Sequence, residues 1–140
     1  MSLRVLTAQK NAAEVASFLK DHPLIKTVHY TALLPKKSPE SMIHDSQARG
    51  CGSVVCFRTG SLAFSQHLLT VTKLFKITVS FGSVNSLISL PGAMSHASIP
   101  EEVRKAREFP EDLVRLSIGI EDAKDLIKDL SQALQSYVAP

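Results

Sequence analysis

The residue with the clearest chemical potential is Arg115, set in the run Leu113-Val114-Arg115-Leu116-Ser117. Strand alternation places Val114, Leu116 and Ile118 on one face and Arg115 on the other. A guanidinium among apolar neighbours keeps its charge, and desolvating it unpaired is costly, so it requires a carboxylate or phosphate partner. Two partners satisfy that requirement: an internal acid such as Glu121, or the carboxylate of a ligand, which the planar fork of Arg matches well. The second candidate is Ser80-Phe81-Gly82-Ser83-Val84-Asn85-Ser86-Leu87, whose small and polar residues let backbone amides approach a ligand. A polar turn joining two strands has the same composition. The third, Met94-Ser95-His96-Ala97-Ser98, offers hydroxyls and an imidazole before a helix. Helix capping accounts for Ser98, and without a G-x-S-x-G elbow or a marked acid partner a Ser-His hydrolase is disfavoured.

The bulk composition narrows the partners. Of 140 residues, 44% are hydrophobic and 21% charged, which suits one compact domain with enough apolar side chain to fill one core. The net charge of +3 comes from 16 basic and 13 acidic residues scattered along the chain, and the longest basic run is Lys36-Lys37. With no Trp and few aromatics interleaved with Arg or Lys, no nucleic-acid partner is expected. Cys51 and Cys56 lack the C-x-x-C spacing of a redox or zinc pair and read as reduced, partly buried thiols. The longest apolar runs fall well short of the roughly 20 residues that span a bilayer, and no secretory leader is evident, so no membrane partner and a cytoplasmic location are expected.

Periodicity supplies the elements that must position these residues. Thr7 is a candidate cap for a helix carrying Ala12, Val15, Ala16 and Leu19, which Asp21-His22-Pro23 ends. A short strand at Lys26 to Tyr30 is followed by the Pro-bounded loop Pro35 to Pro39 and a helix from Ser41 to Ala48. Ser53 to Phe57 reads as a central strand, Ser61 starts a helix through Leu69, and Phe75, Ile77 and Val79 alternate as a strand. Ser86 to Leu90 is a further strand, Ser98 with Glu101 marks a helix through Ala106, and Leu113 to Ile118 is the last strand. From Glu121, the stripe Leu126, Ile127, Leu130, Ala133, Leu134 and Tyr137 predicts an amphipathic helix. Several connections are too short for parallel crossovers. The expected fold is therefore an α/β (α+β) two-layer sandwich: a mostly antiparallel sheet of about four strands with helices on one face, forming a single domain over residues 1–140.

Three blocks together resemble the C-terminal region of the family of cystathionine β-lyase, cystathionine γ-lyase, cystathionine γ-synthase and methionine γ-lyase. They are Ser80 to Ile88, Pro91-Gly92-Ala93-Met94-Ser95-His96-Ala97-Ser98-Ile99-Pro100, and Leu113 to Glu121, the last followed by Asp122, Asp125-Leu126-Ile127 and Asp129-Leu130. Leu3-Arg4 and Asn11-Ala12 look like the start of the helix that links the family's large and small domains, so the chain is expected to begin inside a longer protein. The resemblance implies the small domain of a fold-type I pyridoxal-phosphate enzyme, with the large domain that carries the cofactor lysine absent.

It also implies roles. Arg115 stands where the family's Arg grips the substrate α-carboxylate, and Ser80 where a Ser helps arrange that site. Asn85 replaces the usual Glu at a position that influences which sulfur substrate fits, while Ser83 and Ser95 are milder departures. Val71-Thr72-Lys73 echoes the family's Ser-x-Thr-Lys signature but aligns with a different lysine of the small domain. The implied cofactor is pyridoxal phosphate, with none expected to bind this chain alone. An amino-acid thioether would be engaged only together with the large domain. The implied function is carboxylate binding in a carbon–sulfur lyase of transsulfuration, like cystathionine β-lyase, with γ-lyase or γ-synthase as alternatives and inactivity in isolation. The rival class is a non-catalytic truncated product or interaction fragment. In either case one sheet face is expected to be exposed or to self-associate.

Overall fold

The computed structural model describes residues 1–107 and 109–138. Its elements are α1 (Ser2–Lys20), β1 (Thr27–His29), a 3-10 turn (Thr31–Leu33), α2 (Pro39–Gln47), β2 (Val54–Arg58) and α3 (Leu62–Val71), then β3 (Lys76–Ile77), β4 (Leu87–Ser89), α4 (Glu101–Ala106), β5 (Leu113–Ser117) and α5 (Ala123–Gln135). Five strands form one mixed sheet in the order β1-β2-β5-β4-β3. Three of its four pairings are antiparallel, and β3 runs parallel to β4 with Lys76 beside Leu87 and Ile77 beside Ile88.

Period-two alternation sorts the strands into two faces. Val55 and Phe57 of β2, Ile88 and Leu90 of the β4 region, and Val114, Leu116 and Ile118 of the β5 region are buried in one core. The helices α1, α3 and α5 complete it with Ala12, Val15, Leu19, Phe64, Leu68, Leu126, Leu130 and Leu134. The stripe predicted on α5 is this buried face, and Tyr137 lies past the helix end, stacked on Phe64 at 4.3 Å. Side-chain caps start three helices: Ser38 Oγ accepts from Ser41 N, Ser61 Oγ from Phe64 N and Asp122 from Lys124 N.

The sheet is mostly antiparallel and holds one strand more than the four expected. Three local expectations need correction. Helix α1 begins at Ser2, so Thr7 is not its cap; its hydroxyl donates back to the Leu3 carbonyl one turn earlier. Ser98 does not cap α4, whose N-cap is Pro100 with no side-chain bond. The strand expected to reach Val79 is only two residues long and parallel to its neighbour, because the chain leaves the sheet plane after Ile77. It then runs back beneath the sheet: the Val79 carbonyl is bonded by Arg115, the Gly82 amide by Ser117 Oγ, and the Val84 carbonyl by the Ile120 amide. A short return, residues 78–86, thus replaces the helical crossover that parallel neighbours ordinarily use. No helix among the described residues is long and apolar enough to cross a membrane.

Candidate functional site

The face opposite the helices is where the sequence candidates meet. Register puts His29 beside Cys56, Cys56 beside Arg115, and Arg115 beside Ser89, so these four side chains form a row across the sheet. Arg115 is half-buried in that row. Its Nη2 donates to the Val79 carbonyl at 2.6 Å, and its guanidinium lies 5.6 Å from the centre of the Phe81 ring. These contacts hold the cation without neutralising it. Among the described residues the ion pairs are Arg58 with Asp112 at 2.9 Å and Lys105 with Glu101 at 2.6 Å, so no carboxylate is paired with Arg115. Burial pushes the neighbouring Cys56 thiol up from its ordinary pKa, and the Arg115 charge pulls it the other way.

Glu121, the internal acid considered as a partner for Arg115, is otherwise engaged. Its carboxylate accepts from the Ser86 amide at 2.6 Å and from the Ser86 hydroxyl at 2.9 Å. The same Ser86 Oγ accepts from the Gly119 amide at 2.9 Å. Buried Asn11 of α1 donates through Nδ2 to the carbonyls of Gly119 and Glu121, at 3.2 and 2.7 Å. The Ser80 to Asn85 return is thereby pinned at both ends, by Arg115 at Val79 and by Glu121 at Ser86. Within it Gly82 takes φ +80°, a left-handed turn that glycine adopts without strain.

Ser80 and Asn85 are both exposed on this return. Ser80 follows the carbonyl that Arg115 holds, and the Asn85 amide donates to Ser83 Oγ at 3.2 Å. The structure therefore brings Arg115 and the Ser80 segment onto one surface. Gly119 and Asn11 were not singled out as part of it, though two signals were legible. Asn11 interrupts an otherwise apolar helix stripe, and Gly119 sits between two branched residues at a strand exit.

The third segment lies apart from the row and makes no nucleophile-base pair of use. Ser95 Oγ and His96 Nδ1 are neighbours in sequence, 2.9 Å apart, with the His96 ring stacked on Phe109. Lys73 is tethered through its backbone amide to Asp129 of α5, on the helix side of the sheet. Pyridoxal phosphate needs an amine for its Schiff base, and the Lys73 backbone is tied to α5 while Arg115 bonds Val79 on the other face. Among the described residues the open face thus presents a guanidinium with no carboxylate paired to it. No group of three or more His, Cys, Asp or Glu among the described residues is arranged to hold a metal.

The chain is 57% identical over 136 residues to a chloroplastic cystathionine β-lyase of Mimosa pudica, covering 97% of this chain and 29% of the relative. It is 46% identical to a chloroplastic mimosinase of the same plant, covering 96% of this chain and 30% of that protein. The crystal structure of a cystathionine γ-lyase from Micromonospora echinospora superposes with a TM-score of 0.88 at 36% identity, over 97% of this chain and 35% of that one. The chain thus spans about a third of the length of these proteins. Residues 1–135 match the family model for Cys/Met metabolism PLP-dependent enzymes, and the chain belongs to that family.

Proposed function

We propose that this chain is the C-terminal small domain of a carbon–sulfur lyase of the cystathionine β-lyase type, where it clamps the α-carboxylate of an amino-acid thioether. The observation that carries this reading is an Arg115 held in place by a carbonyl and an aromatic ring with no acid paired to it among the described residues. A substrate carboxylate supplies the missing charge, and a fork-to-fork pair fixes its orientation as well as its position. Ser80 lies beside the clamp and Asn85 at the far end of the same return, where it would bear on the sulfur-side substituent. A pyridoxal phosphate held by a lysine in the large domain supplies the electron sink for carbon–sulfur cleavage. The residues here bind and orient, so the isolated chain is inactive.

The large domain would close over the exposed apolar residues Val79, Phe81, Val84 and Ile120, which also offer a surface for self-association when it is absent. The reading includes a cytoplasmic location, supported by the free thiols of Cys51 and Cys56, whereas the two plant relatives are chloroplastic by name. The rival, a fragment that associates without chemistry, draws on the short span of the chain relative to its relatives.

The test is a transplant of residues 1–135 into the Mimosa pudica cystathionine β-lyase in place of the matched region. The chimera is expected to cleave cystathionine. Arg115→Ala should then cost about 2–4 kcal/mol of productive binding, the scale for leaving a carboxylate without its charged partner. Turnover of the chimera unchanged by Arg115→Ala would overturn the clamp. For the isolated chain, added pyridoxal phosphate should give no visible aldimine band, and such a band would overturn its predicted inactivity.

A further inference from the structure

The bonds around Glu121 do more than close a turn. The Glu121 carboxylate holds both the N–H and the O–H of Ser86, Ser86 Oγ receives the Gly119 N–H, and the Ile120 N–H bonds the Val84 carbonyl at 2.9 Å. Gly119 meets the return so closely that a Cβ there would run into the Val84 carbonyl oxygen and lie 2.7 Å from the Asn85 carbonyl carbon. The strand exit at 119–121 is therefore shaped around the backbone of residues 84–86. The other end of that backbone carries the Val79 carbonyl and the Phe81 ring that hold Arg115.

We infer that Glu121 is a positioning residue: seated on Gly119, it locks the 78–86 return against β5 and through it fixes the direction of the Arg115 guanidinium. Ser86 is fully buried and satisfied by this one carboxylate, so removing the charge loosens the return at its inner end first. The stability of the helix-side core lies on the opposite face and does not depend on it. The functional importance of the lock rests on the proposed carboxylate clamp, but its existence does not.

The experiment uses the 140-residue chain with no ligand, comparing wild type with Glu121→Gln by backbone amide exchange and by the Arg115 Nε–H resonance. Exchange at the Gly82, Ser86 and Ile120 amides is expected to rise about ten- to a hundredfold, the scale of one lost charge-assisted bond. Amides of Val55, Leu116 and Leu130 should change less than about threefold, within the spread of sites that open independently of the return, and the Arg115 Nε–H signal should move. Gly119→Ala is the second variant, expected to reproduce the same local pattern because its Cβ would meet both the Val84 carbonyl oxygen and Glu121 Oε2, displacing the return and the carboxylate together. Uniform exchange increases in both variants with an unmoved Arg115 signal would reduce Glu121 to a general stabiliser and overturn the proposal. Because no substrate enters these readouts, a chimera indifferent to Arg115 would sink the clamp and leave the lock standing.

Discussion

On the helix side of the sheet, Val55, Phe57, Ile88, Val114, Leu116 and Ile118 are buried against α1, α3 and α5. On the other side the same strands carry Cys56, Ser89, Arg115 and Ser117, the last two bonded to a single irregular segment. The first face is held by apolar area, which is non-directional and tolerant of small displacements. The second is held by a few hydrogen bonds to backbone groups, which specify direction more than they add stability. The strand β5 therefore serves packing through its even residues and orientation through its odd ones.

The sharpest way to break that contrast is on the packed face. Leu116→Ala should destabilise the chain by about 2–5 kcal/mol, as expected for a cavity in a closed core, measured by denaturant unfolding. A loss below about 1 kcal/mol would mean that the helix side is not the principal source of stability. Next comes Asp129, whose buried carboxylate on α5 accepts from the Lys73 and Leu74 amides. Asp129→Ala leaves two amides without their acceptor and should cost about 1–3 kcal/mol, with the α3–β3 junction losing amide protection first.

A smaller effect sharpens the edge between the faces. Burial, reinforced by Cys51, pushes the Tyr30 phenol up to about 12 from 10.0, and its hydroxyl donates to the Gly52 carbonyl at 3.0 Å. Between those two values the folded chain keeps a proton that the unfolded chain has released, so stability falls as pH rises through that window. Tyr30→Phe should remove this part of the decline, at a cost of about 1 kcal/mol at neutral pH. Equal slopes for both proteins in alkaline thermal melts would contradict it. The smallest expected change is in the stability of Arg115→Ala, within about 0.5 kcal/mol of wild type, because the half-exposed guanidinium has no ion pair among the described residues to lose. Global unfolding of that variant would show that the open face carries structural weight after all.

The sequence made the packed face legible because its signal is periodic. Val114, Leu116 and Ile118, and the α5 stripe of Leu126, Leu130 and Leu134, declare their burial through spacing alone. It misled where one local rule has several outcomes: Thr7 and Ser98 have capping chemistry, yet neither caps, and Phe75, Ile77 and Val79 alternate over a strand that stops at Ile77. The parallel β3–β4 pair was hidden because a return beneath the sheet leaves no helical period to detect. At the site, the direction of Arg115 followed from alternation. The engagement of Glu121 did not, since its partner Ser86 lies 35 residues away and is reached through backbone as well as side chain. Asn11 was legible only as a polar break in an apolar stripe, and its partners, the distant Gly119 and Glu121 carbonyls, were not.

The bond from Asn11 to the Gly119 carbonyl joins residues 108 positions apart. Helix α1 also packs on α5, the last element of the fold. During synthesis α1 therefore emerges well before the strand and helix that receive it, and at ribosomal speed it waits about 5–20 s for residue 119. Throughout that interval its Val15 and Leu19 lack the rest of the core that covers them in the folded domain, so an element made early in this domain is among the last to be housed.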